Sequence, residues 1–238
     1  VNGGVAVATP ALTVNRLCGS GLQAIISAAQ TILLGDADIA IGGGAESMSR
    51  APYVTPDARF GARMGDARLI DMLLGALDDP FHSVPMGVTA ENVARKYTIH
   101  REQQDALAVE SHRRAARAID EGRFKTQILP ISRDVKGQVL TFDTDEHVRR
   151  QLDPSELSGL RPVFQKDGGT VTAGNASGIN DAAAAVLMMS RDAAEARGVK
   201  AMARLVSYAH AGVDPLYMGI GPVPATRIAL QRAGLEIS

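Results

Sequence analysis

The sequence is poor in cysteine and in aromatic residues. It has one cysteine, Cys18, no tryptophan, and only 4% aromatic residues among 238 positions. A single cysteine excludes an internal disulfide, so nothing here favours an oxidising compartment. Because glycine and alanine are abundant while large rings are rare, we expect layers of helix and sheet whose backbones approach closely.

Long apolar runs and an excess of charge of either sign are also missing. No segment reaches the roughly 18 to 20 apolar residues that span a bilayer, and the first residues show no basic stretch followed by an apolar one. The formal net charge is -1, which gives no electrostatic footprint for nucleic acid or an anionic membrane. We therefore expect a protein of the cytoplasm, or of an organelle matrix, that binds neither nucleic acid nor membrane.

An apolar helix is predicted directly after the cysteine. Apolar residues between positions 22 and 33 recur at helical spacing, behind the turn Cys18-Gly19-Ser20-Gly21. Residues 12–17 predict a strand in front of the turn, and residues 37–41 predict a short buried strand that ends at glycines 42–44. The pattern favours a β-α-β unit and hence an α/β fold.

Similar patterns predict further elements along the chain. Helices are predicted at 86–97, 101–121, 180–185, 193–197 and 224–233. A hairpin is predicted at 134–143 around Lys136-Gly137, an alternating strand at 203–210, and a turn of small residues at 169–179. The mixed charges of the helix at 101–121 indicate an exposed face rather than a nucleic-acid surface.

Cys18 is the residue most suited to chemistry. It precedes a buried helix in a Gly/Ser turn, where backbone N–H groups and the helix dipole stabilise a thiolate, the form that attacks an acyl carbonyl. The flanking glycines permit close approach of a substrate and a backbone oxyanion site. A lone cysteine is more often a small core residue, so position alone leaves both interpretations open.

Six segments in order along the chain resemble the thiolase family, and among thiolases the bacterial beta-ketothiolases and acetyl-CoA acetyltransferases. They are NRLCGSGLQAI (15–25), GDADIAIGGGAESMSRAPY (35–53), RFGARMGD (59–66), PMGVTAENVA (85–94), GTVTAGNASGIND (169–181) and HAGVDPLYMGIGPVPA (210–225). The resemblance implies an acyl-CoA acyltransferase in which Cys18 carries the acyl group.

The resemblance also implies a fold and a division into domains. The thiolase fold is α/β, with two similar halves stacked as αβαβα layers and an inserted loop domain. We expect residues 1–47 and 180–200 to belong to the N-terminal half, residues 48–179 to the loop domain, and residues 201–238 to the start of the C-terminal half. On this reading the fold is incomplete at both ends, and we expect the chain to be part of a longer protein.

Six further residues match family positions that contact coenzyme A. Ser177 matches a hydrogen-bond partner of pantetheine, and Ala173 a residue that packs near the adenine. Arg149 matches a basic residue beside the nucleotide phosphates, although taken alone it reads as a solvated surface charge. Phe164 matches an aromatic lining the coenzyme A site, while Leu77 and Met218 match apolar walls of the acyl and pantetheine channel.

The sequence departs from the family pattern at several points. Pro85 stands where many biosynthetic thiolases have a histidine, and Glu156 where many have a serine near the adenine. Residues 1–238 contain no Gly-His-Pro, Cys-x-Gly-Gly-Gly or Asn-Glu-Ala-Phe motif, which in the family supply the base and a second cysteine. We therefore expect this chain alone to turn over little or no substrate.

The resemblance implies acyl-CoA and free coenzyme A as partners, and a homo-oligomer, either a dimer or a tetramer. Residues 51–75 fall where tetrameric members extend a loop. We predict no metal and no bound cofactor: the acidic residues at 143–146 read as a solvated loop, and glycines 42–44 lack the rest of a phosphate-binding motif.

Two alternatives remain open at this point. One is a condensing enzyme of the ketoacyl synthase or HMG-CoA synthase type, which also uses a cysteine at a helix start. The other is a thiolase-like protein that binds acyl-CoA or lipid without catalysis, or serves as a structural subunit. The intact NRLCGSG segment argues against the second, because binding alone does not need an activated cysteine.

Overall fold

The computed structural model describes residues 2–237. The α-helices of this part are α1 (Ser20–Leu33), α2 (Met72–Ala76), α3 (Met86–Tyr97), α4 (Arg101–Asp120), α5 (Pro154–Ser158), α6 (Arg191–Ala196) and α7 (Pro222–Ala233). The strands are β1 (Ile39–Ser47), β2 (Tyr53–Val54), β3 (Ile70–Asp71), β4 (Asp78–Asp79), β5 (Val84–Pro85), β6 (Ile131–Val135), β7 (Gln138–Phe142) and β8 (Asp181–Met189). Short 3-10 segments lie at Met48–Arg50, Pro56–Ala58 and Pro215–Ile220, and the last is kinked at Tyr217.

The chain forms two compact units. The first contains Val1–Ala76, Ile179–His210 and Pro224–Ser238, and the second contains Leu77–Gly178 and Ala211–Val223. The strands pair as β1 with β8, β2 with β3, β4 with β5, and β6 with β7, all antiparallel.

In the first unit, α1 packs on the sheet of β1 and β8. The helix buries Ile26, Ala28 and Ala29, while Gly42 is the buried position of β1. A Cβ at residue 42 would stand 2.9 Å from Cα of Ile25, so this contact requires glycine. The helix and the strand are therefore as close as their backbones allow, as the small-residue composition predicted.

In the second unit, α3 and α4 enclose a core of small and polar residues. Thr98 ends α3 in the left-handed conformation, with φ 54° and ψ 47°, and His100 caps α4 in a reciprocal capping box with Gln103. Leu157 of α5 and Thr172 are among the most deeply buried side chains, at 1% and 0% exposure. Leu157 and Thr172 thus lie in the interior, whereas none of residues 158–170 between them is fully buried.

Several predicted elements are confirmed. The helix at 86–97 has the bounds expected, the helix predicted at 101–121 ends one residue earlier, and the hairpin closes at Lys136 and Gly137. Both turn residues have positive φ, 55° and 81°, which matches the twist of a two-residue hairpin loop.

Four segments differ from the structure predicted for them: residues 180–185, 42–44, 12–17 and 203–210. In the segment 180–185, predicted to be helical, residues 181–185 are the start of β8, because pairing along nine residues of β1 outweighs the helix preference of alanine. Glycines 42–44 continue β1 rather than ending it. Residues 12–17 form no strand, although Arg16 makes an isolated bridge with Cys18. The β-α-β unit is consequently not formed in the described part of the chain.

The segment 203–210 is also not a strand in the described structure. Its side chains bond to helices instead: Tyr208 accepts a hydrogen bond from Gln30 of α1 at 2.7 Å, and Ser207 donates to the carbonyl of Ala229 in α7 at 2.6 Å. Alternation of apolar and polar residues therefore reflects contacts with helices here. No helix among the described residues is long and apolar enough to cross a membrane.

Candidate active site

Cys18 lies in the first unit, directly before α1. Its thiol is free and exposed, and the next residue, Gly19, is the N-cap of the helix. The N-terminal end of a helix carries partial positive charge. A nucleophile at this position is open to a substrate and lies in sequence next to the end of α1 that favours developing negative charge.

The turn that presents Cys18 is braced by polar side chains. Leu17 has a φ of 48°, a left-handed conformation that side chains other than glycine adopt at a cost. The Ser20 hydroxyl donates to the Leu17 carbonyl at 2.7 Å and accepts the N–H of Arg16 at 2.7 Å. Asn15 accepts the N–H of Leu17 at 3.0 Å. These bonds hold the backbone on the N-terminal side of the sulfur.

Two of the backbone N–H groups next to Cys18 already donate hydrogen bonds within the protein. The N–H groups of Gly19 and Ser20 donate to carbonyls of the same turn at 3.1 and 3.0 Å, so they are not the free donors that the sequence suggested. The first amides of an α-helix have no intrahelical acceptor. The N–H groups of Gly21 and Leu22 are therefore the candidates for stabilising an oxyanion beside the sulfur.

Three of the predicted contact residues surround α3 in the second unit, and two of these lie near its start. The carbonyl of Leu77 accepts the N–H of Met86 at 2.8 Å, which places Leu77 beside the first residue of the helix. The ring of Phe164 lies directly over Gly87, where a Cβ would stand only 2.0 Å from Cε2. Phe164 is 39% exposed, so part of the residue is accessible to a ligand.

Met218, the third of these residues, lies in the 3-10 turn Pro215–Ile220. Asn92 of α3 donates from Nδ2 to the carbonyl of Leu216 at 3.2 Å, and Lys96 lies 4.1 Å from the ring centroid of Tyr217. Met218 itself is 44% exposed. The turn is thereby fixed along α3, with the methionine side chain open to solvent.

Arg149 and Ala173 line one small cavity. Its volume is about 20 Å³, and His112 and His147 also line it. The N–H of Arg149 donates to Nδ1 of His112 at 3.1 Å, and the two imidazole centroids are 5.8 Å apart. Burial, followed by the charges of His147 and Arg149, lowers the pKa of His112 from its usual 6.5. The structure thus brings together two residues predicted to contact the nucleotide.

Ser177 lies on the loop at residues 170–178, which also carries Ala173. Both side chains are exposed, and the Ser177 hydroxyl donates to the carbonyl of Gly178 at 3.2 Å. A hydroxyl in such a local bond can exchange it for an amide of a ligand. All six predicted coenzyme A residues belong to the second unit, and Cys18 belongs to the first.

A second cavity of the second unit is larger than the one that Arg149 and Ala173 line. It has a volume of about 460 Å³ and lies between the end of α3, the start of α4 and residues 165–170. None of the seven predicted residues lines it. Its two arginines bond within the protein, Arg95 to Gln165 and Arg101 to Asp105. Among residues 2–237, no group of three His, Cys, Asp or Glu side chains could hold a metal ion.

Sequence reasoning missed Glu91. This carboxylate is only 5% exposed and accepts hydrogen bonds from residues 170 and 171. The one available signal was its position in α3, three residues before the buried Ala94 and hence on the same helix face. A charged residue on a buried face indicates a specific partner.

Fold and site together define a class: an α/β protein with an exposed cysteine at the start of a helix that packs closely on a sheet. Comparison with models of known protein families identifies the family. The model "Thiolase, N-terminal domain" matches residues 1–192, and "Thiolase, C-terminal domain" matches residues 199–238. The chain belongs to the thiolase family.

Curated relatives and solved structures agree with this assignment. The chain is 71% identical to "Beta-ketothiolase BktB" of Cupriavidus necator, over 100% of this chain and 60% of that protein. It superposes on human mitochondrial 3-ketoacyl-CoA thiolase with a TM-score of 0.94 at 46% identity, covering 99% of this chain and 60% of the other. For the human enzyme in complex with CoA the TM-score is 0.92 at 47% identity, and the match covers 99% of this chain and 58% of the human chain.

These superpositions confirm the thiolase fold predicted from the sequence. The chain spans about 60% of the length of the curated relatives it matches. Family membership leaves the ketoacyl synthase and HMG-CoA synthase alternatives without support.

Proposed function

We propose that this chain is the acyl-carrying part of an acyl-CoA acyltransferase, a 3-ketoacyl-CoA thiolase or acetyl-CoA C-acetyltransferase. One observation carries the proposal: in a chain of the thiolase family, the segment NRLCGSG presents an exposed Cys18 directly before the N-cap of α1. The names of the relatives, beta-ketothiolase and acetyl-CoA acetyltransferase, support the same activity.

The proposed reaction has two half-reactions. The Cys18 thiolate attacks the keto carbon of a 3-ketoacyl-CoA, the bond between that carbon and the neighbouring methylene breaks, and the departing carbanion takes a proton to become acetyl-CoA. Free coenzyme A then attacks the acyl-cysteine, the bond to the Cys18 sulfur breaks, and the shortened acyl-CoA leaves. Condensation runs the same steps backwards. The amides of Gly21 and Leu22 supply charge stabilisation to the oxyanion.

Coenzyme A is the proposed partner of the second unit. In this proposal Arg149 pairs with phosphate, Ser177 bonds to pantetheine and Ala173 packs near the adenine. Phe164, Leu77 and Met218 supply the apolar walls. The partial exposure of Phe164 and Met218, and the shared cavity of Arg149 and Ala173, support this assignment. The complex of the human relative with CoA supports the ligand.

The wider architecture is part of the proposal. We assign residues 1–47 and 180–200 to the N-terminal half of the fold, residues 48–179 to the loop domain, and residues 201–238 to the C-terminal half. We also propose a cytoplasmic homo-oligomer, with residues 51–75 at a subunit contact. Light scattering coupled to size-exclusion chromatography tests the oligomer: a monomer with and without coenzyme A contradicts it.

The decisive experiment is acetylation of Cys18. Protein expressed from the native gene is incubated with acetyl-CoA, digested and analysed by mass spectrometry, with Cys18→Ala as the control. We expect one acetyl group on the peptide that contains Cys18, released by neutral hydroxylamine as a thioester. Tight coenzyme A binding without any acetyl-cysteine would instead favour the binding-only alternative. Thiolysis by residues 1–238 alone would contradict our expectation that this chain turns over little substrate.

A further inference from the structure

A buried carboxylate anchors the loop that carries Ala173 and Ser177. Oε1 of Glu91 accepts the N–H of Thr170 at 2.8 Å and the N–H of Val171 at 2.8 Å. Oε2 accepts the Thr170 hydroxyl at 2.8 Å and lies 3.0 Å from the Thr170 N–H. The two oxygens of Glu91 therefore bind three donors on two consecutive residues.

This arrangement is more specific than packing requires. Removing a carboxylate from water is costly unless strong hydrogen bonds compensate for the lost hydration, and bonds to an ionised acceptor are the stronger kind. An apolar side chain at position 91 would fill the same space without that cost. The carboxylate instead fixes the orientation of the backbone at residues 170 and 171, because both N–H groups must point toward its oxygens to donate.

A second carboxylate holds the same loop further along. Nδ2 of Asn175 donates to Oδ1 of Asp105 at 2.9 Å and to the carbonyl of Thr170 at 2.9 Å, while its Oδ1 accepts the N–H of Thr172 at 2.8 Å. Asp105, 7% exposed, is itself held by Nε of Arg101 at 2.7 Å. One carboxylate of α3 and one of α4 thus fix the loop on both sides of Ala173.

We propose that Glu91 is a positioning residue for coenzyme A: through Thr170 and Val171 it sets the path of residues 170–178 and so the places of Ala173 and Ser177. The inference rests on the proposed function, because it concerns the same ligand. Glu91 does not contact the reacting atoms in this mechanism. Because Glu91 orders the loop before the ligand arrives, the loop loses less conformational entropy when pantetheine binds.

The test compares Glu91→Gln with Glu102→Gln. The glutamine at 91 keeps the length of the side chain but places an amide nitrogen where Oε2 meets Thr170, whereas Glu102 is an exposed residue of α4 and serves as the matched control. Coenzyme A affinity is measured by calorimetry, exchange of the amides at 170–177 by hydrogen–deuterium exchange, and Cys18 acetylation with phenyl thioacetate, which has no pantetheine arm. All measurements use protein expressed from the native gene.

We expect Glu91→Gln to weaken coenzyme A binding about tenfold and to speed amide exchange at 170–177. Acetylation by phenyl thioacetate should stay at the wild-type rate, and Glu102→Gln should behave as wild type. A folded Glu91→Gln protein with wild-type affinity overturns the inference. So does an equal loss of acetylation by phenyl thioacetate, which would show a general effect on the fold.

A second variant changes the loop residue of the same contact. Thr170→Val removes the hydroxyl donor and keeps both N–H groups, so it should weaken coenzyme A binding less than Glu91→Gln does. If Glu91→Gln does not fold, an unchanged affinity in Thr170→Val overturns the inference. Wild-type protein that neither binds coenzyme A nor acetylates Cys18 overturns the proposed function itself, and the positioning role with it.

Discussion

The backbone N–H of Arg149 donates a hydrogen bond to Nδ1 of His112 at 3.1 Å. An imidazole nitrogen accepts only when it carries no proton, so His112 is neutral here and holds its proton on Nε2. His147, whose ring centroid is 5.8 Å away, and Arg149 are the groups whose charges act on it. The segment that carries a proposed phosphate ligand is thus fixed by an imidazole whose pKa burial lowers from its usual 6.5.

Stability should fall as the pH drops below 6.5. Burial is the main cause that lowers the pKa of His112 in the folded state. Between the unfolded value of 6.5 and the lower folded value, the unfolded chain binds more protons, so the free energy of unfolding decreases as the pH falls through that window. Urea denaturation at a series of pH values measures this slope.

His112→Asn is the control for the pH effect. Asparagine can place Oδ1 near the position of Nδ1, and this acceptor does not titrate. We expect a shallower dependence of unfolding free energy on pH in this variant than in the wild type. An identical slope in both proteins would mean that other groups cause the dependence.

Gly87→Ala should destabilise the second unit. The added Cβ would stand 2.0 Å from the ring of Phe164, and forcing an aromatic ring out of a packed position costs about 1–3 kcal/mol. Gly159→Ala is the matched control, since a Cβ there meets nothing within 4 Å. Equilibrium unfolding compares the two. Equal stability of both variants would show that Phe164 moves aside freely.

Gly42→Ala should separate α1 from β1. Its Cβ would meet the backbone of Ile25 at 2.9 Å, whereas a Cβ at Gly44 would stand 3.6 Å from its nearest neighbour. We expect Gly42→Ala to lower the free energy of unfolding by about 1–3 kcal/mol, and Gly44→Ala to change it little. The midpoint of thermal unfolding measures both. Similar midpoints for the two variants would contradict the close approach described above.

Substitutions of Leu17 should separate conformational strain from side-chain contacts. Its φ of 48° suits glycine and is strained for a β-branched residue. We expect Leu17→Val to be less stable than Leu17→Gly by about 1–2 kcal/mol, although valine preserves more apolar surface. Denaturant unfolding gives the difference. If valine is the more stable variant, the side chain matters more than the backbone conformation.

Local signals predicted the elements that local interactions determine. The helix Met86–Tyr97 and the hairpin at Lys136-Gly137 are specified by residues within a few positions of each other. Residues 181–185 failed because alanine prefers a helix, while their actual partners are residues 43–47 of β1. Short-range propensity cannot show which distant segment will supply a strand with hydrogen bonds.

The same contrast applies to the site. The position of Cys18 ahead of a helix follows from the glycines and the apolar spacing around it, and the structure places it there. The role of Glu91 depends on amides 79 and 80 positions further along the chain. Sequence spacing could mark Glu91 as a charge on a buried face but could not identify its partners.

The pairing of β1 with β8 has a consequence for the order of folding. Ser47 and Asp181 are 134 positions apart, so the sheet beneath α1 joins an early part of the chain to a late one, and contacts of such long range form slowly. A ribosome adds about 5–20 residues per second, so on the order of ten seconds pass between the synthesis of Cys18 and that of β8. During that interval Cys18 and the helix that follows it have been synthesised, but the sheet on which the helix packs still lacks its second strand.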